Sequence, residues 1–200
     1  MIYITNTDRF TAAIAKIDAA NAADQIREVF QGREYSKEIL YSKRMADWLT
    51  KLTPDASEAL RLAIQGQHIC RWTIPRENYP MDRVGYLKWR TDCKQMHAEK
   101  LGEIMESVGY DRPTIERVQM LVKKEHLKSD PDAQLLEDVV CLVFLENYFT
   151  DFARQHDEAK LIDIVRKTWK KMSDRGHAAA LSLPLSDECK GIVQKALSEK

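Results

Sequence analysis

Cysteine, glycine and proline are sparse in this sequence and do not occur in clusters. Their scattered positions exclude several classes of functional site. The 200 residues include four cysteines, seven glycines and six prolines. The cysteines have no paired spacing, which argues against a zinc site and favours reduced thiols in the cytoplasm. The glycines are scattered, which excludes a glycine-rich phosphate loop. No serine or cysteine lies in a recognisable nucleophile motif. The cysteines are Cys70, Cys93, Cys141 and Cys189.

An excess of either charge is also absent. Lys+Arg and Asp+Glu are both 31, so the net charge is zero. This balance argues against a general binder of nucleic acids or membrane surfaces, and we expect neither partner. The longest apolar run, residues 139–145, is too short to cross a bilayer. The first residues lack the basic start and long apolar core of a signal peptide, which again favours a cytoplasmic protein.

Helical periodicity is the dominant pattern that is present. Ser36 precedes a stripe that begins at Tyr41 and repeats every three or four residues to Leu52, as on one face of a helix. A long helix is predicted over residues 86–108, ending at Gly109, and a nearly apolar one over 133–152. No segment shows sustained strand alternation. The sequence therefore predicts an all-α fold, one domain over residues 1–200 with about eight helices.

Three polar residues fall on the predicted inner faces of separate helices. They are His68, His97 and Asp138. Two imidazoles and a carboxylate are a set that holds a divalent metal such as Mn, Fe, Mg or Zn, or a metal-activated water. The alternative is that each is a core polar residue satisfied by its own neighbours, with no metal. Periodicity shows which way a residue faces and not whether the three converge, so both interpretations stay open.

One segment, residues 66–90, combines arginines, aromatic rings and turn residues more densely than any other. Guanidinium groups bind oxyanions in a forked geometry, and aromatic rings stack on flat ligands. This segment therefore predicts a ligand-binding loop for an anionic small molecule or nucleotide, with one lysine from a later helix. The predicted ligand-binding residues are Arg71, Trp72, Arg76, Tyr79, Arg83, Trp89, Arg90 and Lys124.

The order of these residues resembles the HD-domain superfamily of metal-dependent phosphohydrolases over residues 36–152. Tyr41 stands where that family has its first histidine, and His68-Ile69 stands where it has a His-Asp doublet. His97 is similar to an additional histidine, and Asp138 to the final aspartate. The resemblance implies an HD-like helical core flanked by terminal helices, with His68, His97 and Asp138 as metal-binding and catalytic residues. The tyrosine and the isoleucine remove two of the four expected ligands.

A second resemblance covers nearly the whole chain. Residues 67–80 resemble the pattern Gln-His-x-x-Arg-Trp-x-x-Pro-Arg-x-x-Tyr-Pro of a bacterial and fungal family of unknown function. Gly-Tyr-x-x-Trp-Arg at 85–90 and Leu-Glu-Asp at 136–138 fit the same family. Its members are sometimes labelled glutamyl-tRNA synthetase. That label does not fit, because the sequence lacks the parallel-sheet pattern of a nucleotide-binding catalytic fold.

Three functional hypotheses follow. The first is a divergent metal-dependent phosphohydrolase that acts on a phosphorylated small molecule or nucleotide through His68, His97 and Asp138. The second is a non-catalytic domain that binds an anionic metabolite through the arginine and aromatic loop. The third is a module for RNA or a protein partner, against which the neutral charge speaks. The sequence does not decide whether the protein is an enzyme.

Overall fold

Helices dominate the computed structural model, which describes residues 6–198. The all-α prediction is confirmed. The chain divides into two compact units, Met1–Glu125 (unit 1) and His126–Lys200 (unit 2). The single domain predicted over residues 1–200 stays a prediction. Within the described residues, no helix is both long enough and apolar enough to cross a membrane.

The described part of unit 1 contains five α-helices and one hairpin. The predicted start of the second helix is correct, since Ser36 is its N-cap. The long helix predicted from residue 86 begins three residues earlier, because the Asp82 side chain accepts a hydrogen bond from the Gly85 amide and caps it there. The elements are α1 (Asn6–Ala22), β1 (Arg27–Phe30), β2 (Arg33–Ser36), α2 (Lys37–Leu52), α3 (Glu58–Gln65), α4 (Arg83–Ser107) and α5 (Arg112–Lys123).

The hairpin is the one departure from the all-helical prediction. Its strands are antiparallel, with Arg27 opposite Ser36 and Phe30 opposite Arg33. A strand of four residues is too short for alternation to be recognised, which is why the sequence did not predict it. Its attachment to α2 depends on tertiary contacts: Arg44 of α2 lies 3.1 Å from a Glu28 carboxylate oxygen and 5.3 Å from the centre of the Phe30 ring.

The segment between α3 and α4 folds back on unit 1 and includes two short 3-10 turns, Arg71–Thr73 and Arg76–Asn78. The indole N–H of Trp89, on α4, donates to the Ile74 carbonyl oxygen at 2.8 Å. Near the start of α4 the approach is so close that a Cβ at Gly85 would lie 2.1 Å from the Pro80 carbonyl oxygen. Glycine at position 85 thus permits this loop to pack on the helix.

Unit 2, as far as residue 198, contains five further helices. The single helix predicted over residues 133–152 is two helices, because the backbone leaves helical geometry at Tyr148. The inward, mostly apolar stripe of the first of them is buried as predicted, including Leu142 and Leu145. The helices are α6 (Pro131–Asn147), α7 (Phe149–Ala153), α8 (Glu158–Trp169), α9 (Asp174–Leu181) and α10 (Asp187–Ser198).

Candidate functional site

Three rings from separate elements of unit 1 meet in one place. Tyr41 comes from α2, His68 from the turn after α3, and His97 from α4. The Tyr41 and His68 rings are stacked, with centroids 3.9 Å apart and planes 10° from parallel. The His68 and His97 ring centroids are 5.9 Å apart. We call Tyr41, His68 and His97 the ring cluster. It brings together two of the three inward polar residues predicted from the sequence.

His97 is a neutral imidazole in this cluster. Its Nδ1 lies 2.7 Å from the Ile69 carbonyl oxygen. A carbonyl oxygen only accepts, so Nδ1 carries the proton and Nε2 carries a lone pair. This Nε2 is buried and has no hydrogen-bond partner among residues 6–198. Burial lowers the pKa of His97 to about 4, although the hydrogen bond to Ile69 opposes that shift.

His68 is also neutral and is held from two sides. Its Nε2 lies 3.1 Å from a guanidinium nitrogen of Arg71, which only donates, so Nε2 accepts. Its Nδ1 therefore carries the proton and faces a Glu38 carboxylate oxygen at 3.5 Å. Burial is the largest cause that lowers the pKa of His68 well below its usual range, and the charge of Arg71 adds to it.

Glu38 is the residue of this site that the sequence analysis missed. Its side chain is only 6% exposed. Burial raises its pKa to about 7, and the nearby charge of Arg71 opposes that shift. One signal was available: Glu38 lies three residues before Tyr41, so the two share a face of α2. A glutamate in the first turn of a helix is also explained by its favourable interaction with the helix dipole. For this reason Glu38 was not predicted to belong to the site.

Positive charge gathers around His68. The charges of Arg71, Lys124 and Arg90 all act to lower the pKa of His68. We call these three residues the cation group. The Arg71 guanidinium lies 4.6 Å from the centre of the Trp89 ring, and that of Arg90 lies 5.8 Å from the centre of the Tyr86 ring. In the part of the chain that is described, neither arginine forms an ion pair with a carboxylate within 4.0 Å.

A comparison with protein-family models identifies the family. The model described as "Domain of unknown function (DUF4202)" matches residues 11–193. The chain belongs to this family. The match confirms the resemblance to a family of unknown function, while the resemblance to HD-domain proteins stays a prediction. The searches of curated proteins and of solved structures found no match.

Two of the ligand-binding residues predicted for this DUF4202 chain hold the loop itself. The Arg76 guanidinium donates to the carbonyl oxygens of Tyr79 and Pro80, at 3.0 and 2.8 Å. The Tyr79 hydroxyl donates to a carboxylate oxygen of Asp92 on α4 at 2.8 Å. These bonds use the Tyr79 hydroxyl proton and part of the Arg76 donor set to hold the loop in place. Of the remaining predicted residues, Trp72 is half-buried and Arg83 is exposed.

Asp138 lies in unit 2, where its carboxylate organises a helix start. One oxygen accepts from the Ser173 amide at 2.8 Å and from the Gln134 side chain at 3.1 Å. The other accepts from the Ser173 hydroxyl at 2.5 Å. Ser173 is the N-cap of α9. This is the satisfied core carboxylate that the sequence analysis kept as an alternative to a metal ligand.

The ring cluster does not fit a metal ion. A metal at either nitrogen of His68 would displace the Arg71 guanidinium or the approach to Glu38, and the arginine charge would repel it. In residues 6–198, no group of three or more His, Cys, Asp or Glu residues is placed to hold a metal ion. The arrangement instead places the Arg71 guanidinium next to neutral imidazoles, with Glu38 on the other side of His68.

Proposed function

We propose that unit 1 binds an anionic small molecule, carrying a phosphate or carboxylate, through the cation group of Arg71, Arg90 and Lys124. The observation that carries the proposal is the position of the Arg71 guanidinium, which lies 3.1 Å from His68 Nε2 and has no carboxylate within ion-pair distance in the described chain. The charges of Lys124 and Arg90 act on the same imidazole. Like charges placed together repel one another, and a bound anion relieves that repulsion.

Arg71 is held in position before any ligand arrives. Its side chain lies against the Trp89 ring and donates to His68 Nε2. A guanidinium has five N–H donors, so this single side-chain bond leaves several for a ligand. The Glu38 carboxylate fixes the tautomer of His68 that accepts from Arg71. A side chain already ordered in this way loses little conformational entropy when it binds.

Aromatic surface beside the cations favours a ligand with a flat part. Tyr86 is 42% exposed, and its ring centroid lies 5.9 Å from that of Trp89. An exposed ring next to arginines can stack on a nucleobase or another planar group. A nucleoside monophosphate, with one phosphate and one ring system, combines the two features that this surface recognises.

Replacing Arg71 with methionine tests the proposal. We expect the affinity for the best ligand among inorganic phosphate, pyrophosphate and adenosine monophosphate to fall roughly 10- to 100-fold, since hydrogen bonds to charged groups contribute about 1.5–3 kcal/mol. Isothermal titration calorimetry measures this change. Arg112→Met is the matched control, because that arginine of unit 1 is 82% exposed and already paired with Glu116. Equal losses in the two variants, or no binding of any of the three probes, would contradict the proposal.

The metal-dependent phosphohydrolase remains the competing prediction, and metal content separates the two. Because a cation at His68 would face Arg71, we expect elemental analysis of the purified protein to find Mn, Fe and Zn far below one atom per chain. We also expect chelator treatment to leave the melting temperature unchanged. One metal atom per chain, lost in both His68→Ala and His97→Ala, would instead support the hydrolase.

A further inference from the structure

A cavity of unit 1 lies among α1, α2 and α3, and its lining includes none of the residues of the ring cluster or the cation group. Its volume is about 190 Å³. Phe10 and Ile14 of α1, Leu49 of α2 and Ile64 of α3 provide its apolar lining. Leu49 and Ile64 are buried core residues, so the cavity reaches down to the core of this unit.

Arg61 is the one cationic residue among the described residues that line this cavity. Arg61 of α3 lines the cavity, with its guanidinium 4.5 Å from the centre of the Phe10 ring. Among residues 6–198 it forms no ion pair and no side-chain hydrogen bond. A stacked guanidinium keeps its N–H edge free, so Arg61 can donate to an oxyanion while its face rests on the ring.

We propose that this cavity binds a small monocarboxylate with an apolar body, such as a single ring or a short branched chain, and that Arg61 pairs with the carboxylate. A cavity of about 150 Å³ lined by apolar side chains is large enough for benzene, so the space here fits one ring. The lining also includes the polar residues Thr50, Thr53 and Gln65. Apolar walls with a few placed polar groups are the usual composition of a small-molecule site. The inference does not depend on the proposed function.

Neighbouring charge favours one negative charge on the ligand over several. Gln65, four residues after Arg61 on α3, also lines the cavity, and its side-chain amide donates to a carboxylate oxygen of Asp18 at 3.0 Å. Asp18 therefore adds negative charge beside this wall. A second anionic group on the ligand would be repelled by Asp18 and would find no second cation in the apolar lining.

Benzoate and benzamide are the probes that test this inference, because they share the ring and differ in the charge. With ¹³C-labelled methyl groups, we expect benzoate to shift the NMR signals of Ile14, Leu49 and Ile64, with a dissociation constant of about 1 mM for a ligand of this size. Benzamide is expected to bind about tenfold more weakly, because it cannot pair with the guanidinium. Equal affinities for the two, or no shift of these methyl signals, would overturn the inference.

Two variants separate the charge from the space. Arg61→Met is expected to weaken benzoate binding about tenfold while leaving benzamide unchanged. Ala46→Leu places added methyl groups in the cavity and is expected to abolish binding of both probes. Arg33→Met is the control, since Arg33 lies exposed on β2 and outside the lining. Unchanged benzoate binding in Arg61→Met would also overturn the inference. Because Arg61 is exposed, misfolding is a poor explanation for a loss of binding in this variant.

Discussion

Replacing Glu38 with glutamine is expected to stabilise the protein by about 2–3 kcal/mol above pH 7, because a shift of one pKa unit corresponds to about 1.4 kcal/mol. The pKa of Glu38 is raised from 4.5 to about 7. Between these values the folded state binds more protons than the unfolded state, so the free energy of unfolding falls as pH rises. Glutamine carries no charge and has no such penalty, and its carbonyl oxygen can take the place of the carboxylate oxygen that faces His68.

Urea unfolding of both proteins between pH 4.5 and 8 measures this difference. The two curves should separate from about pH 4.5 upward and reach their full separation above about pH 7. Glu103→Gln is the control, because its carboxylate is 65% exposed in the same unit. Parallel curves for wild type and Glu38→Gln would contradict the raised pKa of this buried carboxylate.

The contribution of His97 to the pH dependence should be the same in both proteins. The pKa of His97 is lowered from 6.5 to about 4, so the unfolded chain takes up a proton that the folded chain refuses. This contribution to stability is therefore lost as pH falls from about 6.5 towards 4 in wild type and variant, whereas the contribution of Glu38 in wild type changes in the opposite direction. His68, whose pKa is also lowered, adds a loss of the same sign.

Replacing Asp138 with alanine is expected to destabilise unit 2 by about 3 kcal/mol or more, since the carboxylate accepts several hydrogen bonds and each bond to a charged group contributes about 1.5–3 kcal/mol, not fully additively. The change leaves the Ser173 amide without its acceptor at the start of α9. It also opens space at Gly176, where an added Cβ would lie 2.7 Å from the carboxylate.

Chemical denaturation and amide hydrogen exchange of α9 measure this loss. Asp163→Ala is the matched control, because Asp163 is a 56% exposed carboxylate of the same unit that pairs only with Lys167 at the surface. Asp138→Asn should be milder, since its carbonyl oxygen can keep one bond to Ser173. Stability close to wild type in Asp138→Ala would remove the structural role and restore interest in this residue as a ligand.

Local sequence patterns were sufficient to predict the fold class and the positions of the main helices of this DUF4202 protein. Apolar residues at helical spacing and strong end signals are local features, so the stripe after Ser36 and the buried one around Leu142 are readable without tertiary information. The same local periodicity predicted that the side chains of His68 and His97 face inward. The sequence also predicted a loop rich in arginines and aromatic residues. In the structure Arg71 contacts His68, and the Trp89 ring contacts Arg71.

The hydrogen-bond or ion-pair partner of each polar group could be read only from the tertiary structure. Arg71 and Arg76 look alike in the sequence, yet one faces His68 and the other bonds to its own loop. Glu38 and Asp138 became important through contacts with residues 30 and 35 positions away. Hydrogen bonds and burial depend on three-dimensional neighbours, while periodicity specifies only a direction from a helix axis. For this reason the sequence predicted which segments carry the polar residues of the site. The protonation state and the partner of each of these residues depend on the tertiary packing.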